Sequence, residues 1–148
     1  MSESQVTVRL RQQADYQFDV DFGAGIAPLR ADEPPPLGQG AGPSPVQLLA
    51  AAVGNCLADS LLFALRKYKQ APGTIGAEVV ADVGRNAEGR LRVLSIQATL
   101  RLGVAGVTLA HLDRALAQFE AFCTVTQSVG QGIAIGVSVV DAGGLTLK

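Results

Sequence analysis

The stretch PSPVQLLAAAVGNCLADSLLFALRKYKQAPG, residues 43–73, decides the fold because it encodes one long helix with both ends marked. Ser44 is a typical N-cap, Pro45 occupies the first helical position, where its missing N–H is not needed, and Gln47 completes a Ser-x-x-Gln capping box. Basic residues near the end and a following Pro-Gly pair stop the helix. The pattern predicts a helix that runs to Tyr68 and is roughly 35 to 40 Å long at about 1.5 Å per residue.

The first half of this helix is apolar on nearly all sides, yet Cys56 lies in its middle between Asn55 and Asp59. A bilayer-spanning helix needs about 20 mostly apolar residues, and the apolar run 48–65 is interrupted by polar side chains. A buried core helix is therefore the better prediction. Because one 148-residue subunit has little other structure to cover such a helix, the sequence also favours a dimer.

Alternating apolar and polar residues predict strands on both sides of the helix. The N-terminal pair, 6–10 and 16–22, reads as two half-buried antiparallel strands, with Val6, Val8 and Leu10 facing inward. The same alternation predicts further strands at 27–32, 77–85, 91–103 and 133–141.

Two shorter helices are predicted after the second hairpin. Leu109, Leu112, Leu116 and Phe119 form an amphipathic stripe behind Thr108 as the cap. A short helix follows in CTVTQSVGQG, closed by Gly130 or Gly132. Strands grouped in hairpins and separated by helices predict the α+β class, with antiparallel sheets packed on the long helix in one domain over residues 1–148.

The charge balance excludes one broad class of function. Twelve basic and thirteen acidic residues leave a net charge of −1, which does not fit non-specific nucleic-acid binding. The first twenty residues hold no apolar signal segment, so we expect a cytoplasmic protein without a membrane partner. In that reducing compartment a static disulfide between the two cysteines is not expected.

Few residue types here can carry chemistry. Cys56 alone would fit a small apolar core residue, whereas Cys123 begins a short helix, where free N–H groups stabilise a thiolate. His111 lies on a polar helix face, which argues against a Ser-His or Cys-His hydrolase. The cysteine and histidine spacing does not fit zinc, and GQGAGPSP lacks the lysine of a phosphate loop. We expect no cofactor and no metal.

The run GPSPVQLLAAAVGNC, followed by a cysteine at the head of CTVTQSVGQGIAIGVSVVD, resembles the OsmC/Ohr family of osmotically inducible and organic hydroperoxide resistance proteins. The resemblance covers nearly the whole chain in order and length. It implies an intertwined homodimer with the long helices at its centre and the active sites at the subunit interface. It also implies thiol peroxidase activity toward organic hydroperoxides, in oxidative stress defence.

The resemblance assigns roles to both cysteines. Cys56 matches the peroxidatic cysteine, which attacks the peroxide and becomes a sulfenic acid. Cys123 matches the resolving cysteine, which closes a disulfide that an external dithiol then reduces. Family members also use an arginine from the N-terminal strands to stabilise the thiolate. Arg9 and Arg11 are the candidates, with Arg11 preferred because it lies nearer the turn.

One departure from the family pattern concerns the glutamate that holds this arginine. Its two possible positions, ten and nine residues before Cys56, hold Val46 and Gln47, which carry no charge. Gln47 can still accept a hydrogen bond from a guanidinium, although its place in the capping box explains it equally well. The alternative function is therefore a non-catalytic family member that binds an apolar small molecule or senses redox state.

Overall fold

The computed structural model describes residues 3–148, which form two compact units, one up to Leu48 and one from Leu49 onward. Helix α1 spans Pro45–Lys67 and begins with the predicted capping box. The Ser44 N–H donates to Gln47 Oε1 at 2.9 Å, and the Gln47 N–H donates to Ser44 Oγ at 3.3 Å. The helix ends one residue before the predicted end. A single domain over the whole chain stays a prediction.

The N-terminal unit contains one antiparallel sheet in the order β1-β2-β3. Its strands are Arg9–Ala14, Gln17–Asp21 and Leu29–Ala31. The prediction of an inward face for the first strand is wrong within this chain, because Val6 and Val8 precede β1 and Leu10 is 59% exposed. As an edge strand, β1 has a neighbour on one side only, and the buried side chains of the sheet come from β2 and β3.

The Pro- and Gly-rich loop after β3 folds around one buried carboxylate. Asp32 accepts the backbone N–H groups of Glu33, Gln39 and Ala41 at 2.8 to 3.1 Å. These hydrogen bonds hold the pKa of Asp32 below its usual range, and the bond from the Ala41 N–H has the largest effect. Asp32 therefore fixes the loop that leads into α1.

The C-terminal unit contains the second sheet, in the order β4-β5-β6. Its strands are Gly76–Arg85, Leu91–Arg101 and Ala134–Val140. The first two form the predicted antiparallel hairpin, but β5 and β6 pair in parallel, which corrects the prediction of purely antiparallel sheets. The long helical connection between them returns the chain to the starting end of β5, as a parallel pair requires.

One face of α1 forms the core of this unit. Val53, Leu57, Leu61 and Leu65 recur every four residues and are fully buried in a cluster with β5 and β6. The helix is long and apolar enough to cross a membrane by length and composition, but this buried face makes it a core helix. The packing of α1 on this sheet confirms the α+β fold class that the sequence predicted.

The second predicted helix is shorter than expected. Helix α2 spans only Leu112–Gln118, and Thr108 caps no helix because it ends a 3₁₀ turn, Gly106–Thr108. A residue far away in the sequence stabilises this turn, because the Gly106 N–H donates to the buried Asp141 carboxylate at 3.0 Å. A second 3₁₀ turn, Phe119–Phe122, leads to α3, Thr124–Val129, which is the predicted short helix.

Candidate functional site

Two cysteines from different elements meet in the C-terminal unit. Cys56 lies midway along α1 and is half-buried, while Cys123 is the N-cap of α3 and is fully buried. Their side chains lie close enough for Cys123 to act on the pKa of the Cys56 thiol, and neither cysteine is in a disulfide. Residues separated by 67 positions in the sequence are thus in direct contact.

The surroundings of Cys56 favour its protonated form. Burial raises the pKa of the Cys56 thiol, and the hydrogen bond to Cys123 raises it further. The backbone N–H of Val125, in the first turn of α3, acts in the opposite direction and lowers the pKa of Cys56. The negative charge of Asp59 adds a smaller effect in the same direction. A thiolate at this position needs an additional positive charge.

Cys56 opens into a shallow depression of about 440 Å³ on the surface of this unit. Its other lining residues are Asp59, Ser60, Phe63 and Phe122. The two phenylalanine rings are in edge-to-face contact, with centroids 5.6 Å apart, and both are partly exposed. This arrangement presents apolar surface beside a thiol, which suits the organic part of a small molecule.

A cation lies at the far end of this aromatic pair. The Lys67 Nζ is 4.9 Å from the ring centre of Phe122 and 5.4 Å from that of Phe63. Such cation–π contacts contribute about 0.5 to 1 kcal/mol at exposed positions. The ammonium therefore adds a weak stabilising contact to both rings.

Asp59 places a carboxylate in the same depression. It lies one helical turn after Cys56, and Asn55, one turn before Asp59, donates from Nδ2 to Asp59 Oδ2 at 2.7 Å. The hydrogen bond fixes the carboxylate against the helix surface beside the thiol. Asp59 is exposed and retains hydrogen-bonding capacity toward solvent or a ligand.

The remaining predicted site residues belong to the N-terminal unit. Arg9 and Arg11 lie on β1, opposite Asp21 and Asp19 of β2, and both are exposed. The side-chain oxygen of Gln47 accepts the Ser44 N–H, so the capping role that the sequence offered for Gln47 is observed.

Sequence reasoning missed two aromatic residues that line the depression, Phe63 and Phe122, and the cation next to them, Lys67. Phe63 and Lys67 could have been found from the sequence. They follow Cys56 and Asp59 at three- and four-residue spacing, which places all four residues along one side of a helix. Phe122 gave no signal beyond its position next to Cys123.

No metal centre competes with this thiol site in the described part of the chain. Within residues 3–148, no three His, Cys, Asp or Glu side chains are grouped so that they could hold a metal ion. The one histidine, His111, stacks on Tyr68 with ring centroids 5.3 Å apart.

Comparisons with known proteins agree with this architecture. Residues 38–138 match the model of a family described as OsmC-like protein. No curated protein sequence matches the chain. An OsmC-like protein of unknown function from Vibrio cholerae superposes with a TM-score of 0.77 at 15% identity, over 93% of this chain and 99% of that one.

Two similar structures carry more specific names. An organic hydroperoxide resistance protein from Legionella pneumophila has a TM-score of 0.71 at 15% identity, over 95% of this chain and 99% of that one. The organic hydroperoxide resistance protein OhrB of Bacillus subtilis has a TM-score of 0.69 at 12% identity, over 93% and 99%. At these identities the similarity establishes the fold, which confirms the predicted OsmC-like architecture.

Proposed function

Because the chain belongs to the OsmC-like protein family, we propose that it is a thiol-dependent peroxidase that reduces organic hydroperoxides. The observation that carries the proposal is the contact between Cys56 and Cys123 at the edge of an aromatic depression. The names of the Legionella pneumophila and Bacillus subtilis structures support organic hydroperoxides as the substrate class.

The first step oxidises Cys56. Its thiolate attacks one oxygen of the hydroperoxide, so that an S–O bond forms while the O–O bond breaks. Two electrons pass from sulfur to the peroxide, and the departing alkoxide takes up a proton to become an alcohol. Cys56 is left as a sulfenic acid.

In the second step the neighbouring thiol, Cys123, closes a disulfide with the oxidised Cys56. The Cys123 sulfur attacks the sulfenic sulfur of Cys56, an S–S bond forms, and hydroxide leaves as water after protonation. An external dithiol then reduces the disulfide by exchange and returns both cysteines to thiols. The cycle needs a dithiol reductant as a partner and no cofactor.

A guanidinium supplies the positive charge that Cys56 lacks. Arg11, or Arg9 on the same strand, fills this role in the proposal, because an arginine beside a thiolate lowers the thiol pKa. Gln47 Oε1 has a second lone pair beyond the one used by Ser44, and it can accept a hydrogen bond from that guanidinium.

The same proposal includes a homodimer that works in the cytoplasm. Exposed apolar residues support a covered surface, since Leu10 of β1 is 59% exposed and Phe63 of α1 is 53% exposed. Light scattering of the purified chain measures the assembly state, and a monomer would contradict this part of the proposal.

The catalytic test follows consumption of cumene hydroperoxide with dithiothreitol as the reductant. Cys56→Ser should abolish consumption, and an unchanged rate in that variant would refute a peroxidatic role. In the absence of dithiothreitol, Cys123→Ser, the matched control, should complete one turnover and leave a sulfenic acid at Cys56 that dimedone traps.

Two observations favour a second function, a non-catalytic protein that binds an apolar small molecule or senses redox state. The thiol pKa of Cys56 is raised, and Val46 and Gln47 carry no charge at the start of α1. Mass spectrometry after one equivalent of hydroperoxide separates the peroxidase from a protein that only binds a small molecule. A peroxidase loses two hydrogen atoms through a fast disulfide between Cys56 and Cys123, whereas a binding protein keeps its mass.

A further inference from the structure

The depression beside Cys56 contains one polar side chain that the proposed function does not use, Ser60. This serine lies on α1 one helical turn after Cys56, and both residues line the depression. Residues four apart on a helix are neighbours, and helical side chains lean toward the N-terminus of their helix. The Ser60 hydroxyl therefore leans toward the cysteine, next to the place where a peroxide would meet the sulfur.

The Ser60 hydroxyl reaches solvent only through this depression. Ser60 as a whole is 6% exposed. Within residues 3–148 every fully buried polar side-chain atom has a hydrogen-bond partner, whereas no side-chain hydrogen bond of Ser60 is found there. The hydroxyl oxygen is therefore not sealed in the core, and it faces the depression that the residue lines.

A second serine shows the hydrogen bond that Ser60 does not make. A serine inside a helix can donate to the carbonyl four residues earlier. Ser128 of α3 does so, with Oγ donating to Thr124 O at 2.8 Å. The corresponding bond from Ser60 to the carbonyl of Cys56 is not formed, so the Ser60 donor is available to an oxygen that enters the depression.

The proposed reaction produces an oxygen that needs such a donor. When the Cys56 thiolate attacks, the O–O bond breaks and negative charge develops on the oxygen that leaves. The phenylalanine rings of the depression donate no hydrogen bond, and an ionised Asp59 carboxylate only accepts. Among the residues that line the depression, Ser60 is thus the one placed to donate to the leaving oxygen.

We propose that Ser60 is a catalytic residue whose hydroxyl donates a hydrogen bond to the oxygen that leaves the hydroperoxide. A sulfur electron pair forms the S–O bond, the electron pair of the O–O bond goes to the leaving oxygen, and the hydroxyl stabilises that charge. The alkoxide takes a proton from the hydroxyl, which recovers one from water in the open depression. The products are the Cys56 sulfenic acid and an alcohol. The inference rests on the proposed peroxidase function and deepens it.

The test compares two oxidants that differ in their need for this donor. Cumene hydroperoxide releases an alkoxide, whereas peracetic acid releases acetate, which is stable without a proton at neutral pH. The full-length chain with Cys123→Ser isolates the first step, and its rate is read by mass spectrometry of the dimedone-trapped sulfenic acid. In this background Ser60→Ala should slow oxidation by cumene hydroperoxide by about ten- to hundredfold, and oxidation by peracetic acid by less than about threefold.

Two controls separate loss of the donor from damage to the thiol. Alkylation of Cys56 by iodoacetamide releases iodide, which needs no hydrogen-bond donor, so its rate should be unchanged in Ser60→Ala. Ser128→Ala removes a helical hydroxyl outside the depression and should leave both oxidation rates unchanged. Equal slowing of the two oxidants in Ser60→Ala, or no slowing of either, overturns the inference. So does a slowing of alkylation that matches the slowing of oxidation, because it assigns the effect to the thiol itself.

Failure of this inference is distinguishable from failure of the proposed function. A chain that consumes cumene hydroperoxide equally fast with and without the Ser60→Ala change keeps the peroxidase function and loses only the role of Ser60. If the unmodified chain consumes no cumene hydroperoxide in the presence of dithiothreitol, the peroxidase function is wrong, and this inference is wrong with it.

Discussion

Replacing Gly54 by alanine is expected to destabilise the protein through one contact between α1 and β4. A Cβ on Gly54 would lie 2.6 Å from Cγ2 of Val79, well inside the carbon–carbon contact distance of about 3.5 Å. Val79 is β-branched and stiff at χ1, so its methyl group cannot easily turn away. Because Gly54 has no side chain, the helix segment that contains Cys56 can lie close to the sheet.

Two effects of opposite sign determine the size of the change. Alanine is favoured over glycine in a helix by about 1 kcal/mol, whereas overpacking costs about 1 to 3 kcal/mol, so Gly54→Ala should lower the free energy of unfolding by about 1 kcal/mol. Val79→Ala alone removes two half-buried methyl groups, also worth about 1 kcal/mol.

The double variant tests whether this contact is the cause. Without the Val79 methyl groups the clash disappears, and the helix-propensity gain at Gly54 offsets the lost burial. The double variant should therefore match the unmodified chain to within about 0.5 kcal/mol, instead of losing about 2 kcal/mol by addition. Additive losses would refute the reasoning.

The assay is urea unfolding followed by far-ultraviolet circular dichroism at one fixed protein concentration, since association would shift the apparent stability. Ala51→Gly, at an exposed position of α1, is the control for helix propensity and should lose about 1 kcal/mol. A much smaller loss in that variant would show that propensity contributes little here.

Two further predictions concern the depression and the second sheet. Phe63→Ala should raise KM for cumene hydroperoxide by about two- to tenfold, from the loss of aromatic contact, and leave kcat/KM for hydrogen peroxide unchanged in the same consumption assay. Asp141→Asn should lower stability more at pH 7 than at pH 3 in urea unfolding. Hydrogen bonds lower the pKa of Asp141, and the bond from the Gly106 N–H has the largest effect. The stability that the ionised carboxylate contributes is therefore fully present above the unfolded pKa, near 3.8. It is lost as the pH falls through the lower pKa of the folded state.

The long helix could be predicted from sequence because its signals are local. Ser44 and Gln47 are three residues apart, and each satisfies the N–H of the other without help from distant parts of the chain. The end of α3 is marked equally locally, because its C-cap, Gly130, is one of the two glycines that the sequence offered. Such signals act within one helical turn.

The second helix could not be predicted correctly, because a distant residue decides where it begins. Asp141 lies 35 positions after Gly106 and accepts its N–H, which fixes a 3₁₀ turn that ends at Thr108, the predicted cap of the helix. His111, with a φ of 58°, then starts α2 in a left-handed conformation. No pattern within the segment marks that interruption. The inward face predicted for β1 failed for a related reason, since alternation indicates two faces but not what covers them.

The candidate site, too, could be predicted from local features only in part. The cysteines stood out by residue type and motif, but their contact depends on how the helical connection between β5 and β6 returns Cys123 to α1. The raised pKa of Cys56 is a property of that packing. Asp59 was visible beside Cys56 in the sequence, yet its orientation by Asn55 required coordinates.

The unequal exposure of the two thiols supports one order of events in the proposed cycle. Cys123 is fully buried, whereas Cys56 opens into the depression, so a bulky hydroperoxide can reach only Cys56. The same argument applies to the return step. An external dithiol must attack the Cys56 sulfur of the disulfide, which makes Cys123 the leaving thiolate. Substrate and reductant then compete for one opening, and Phe63 and Phe122 border it for both.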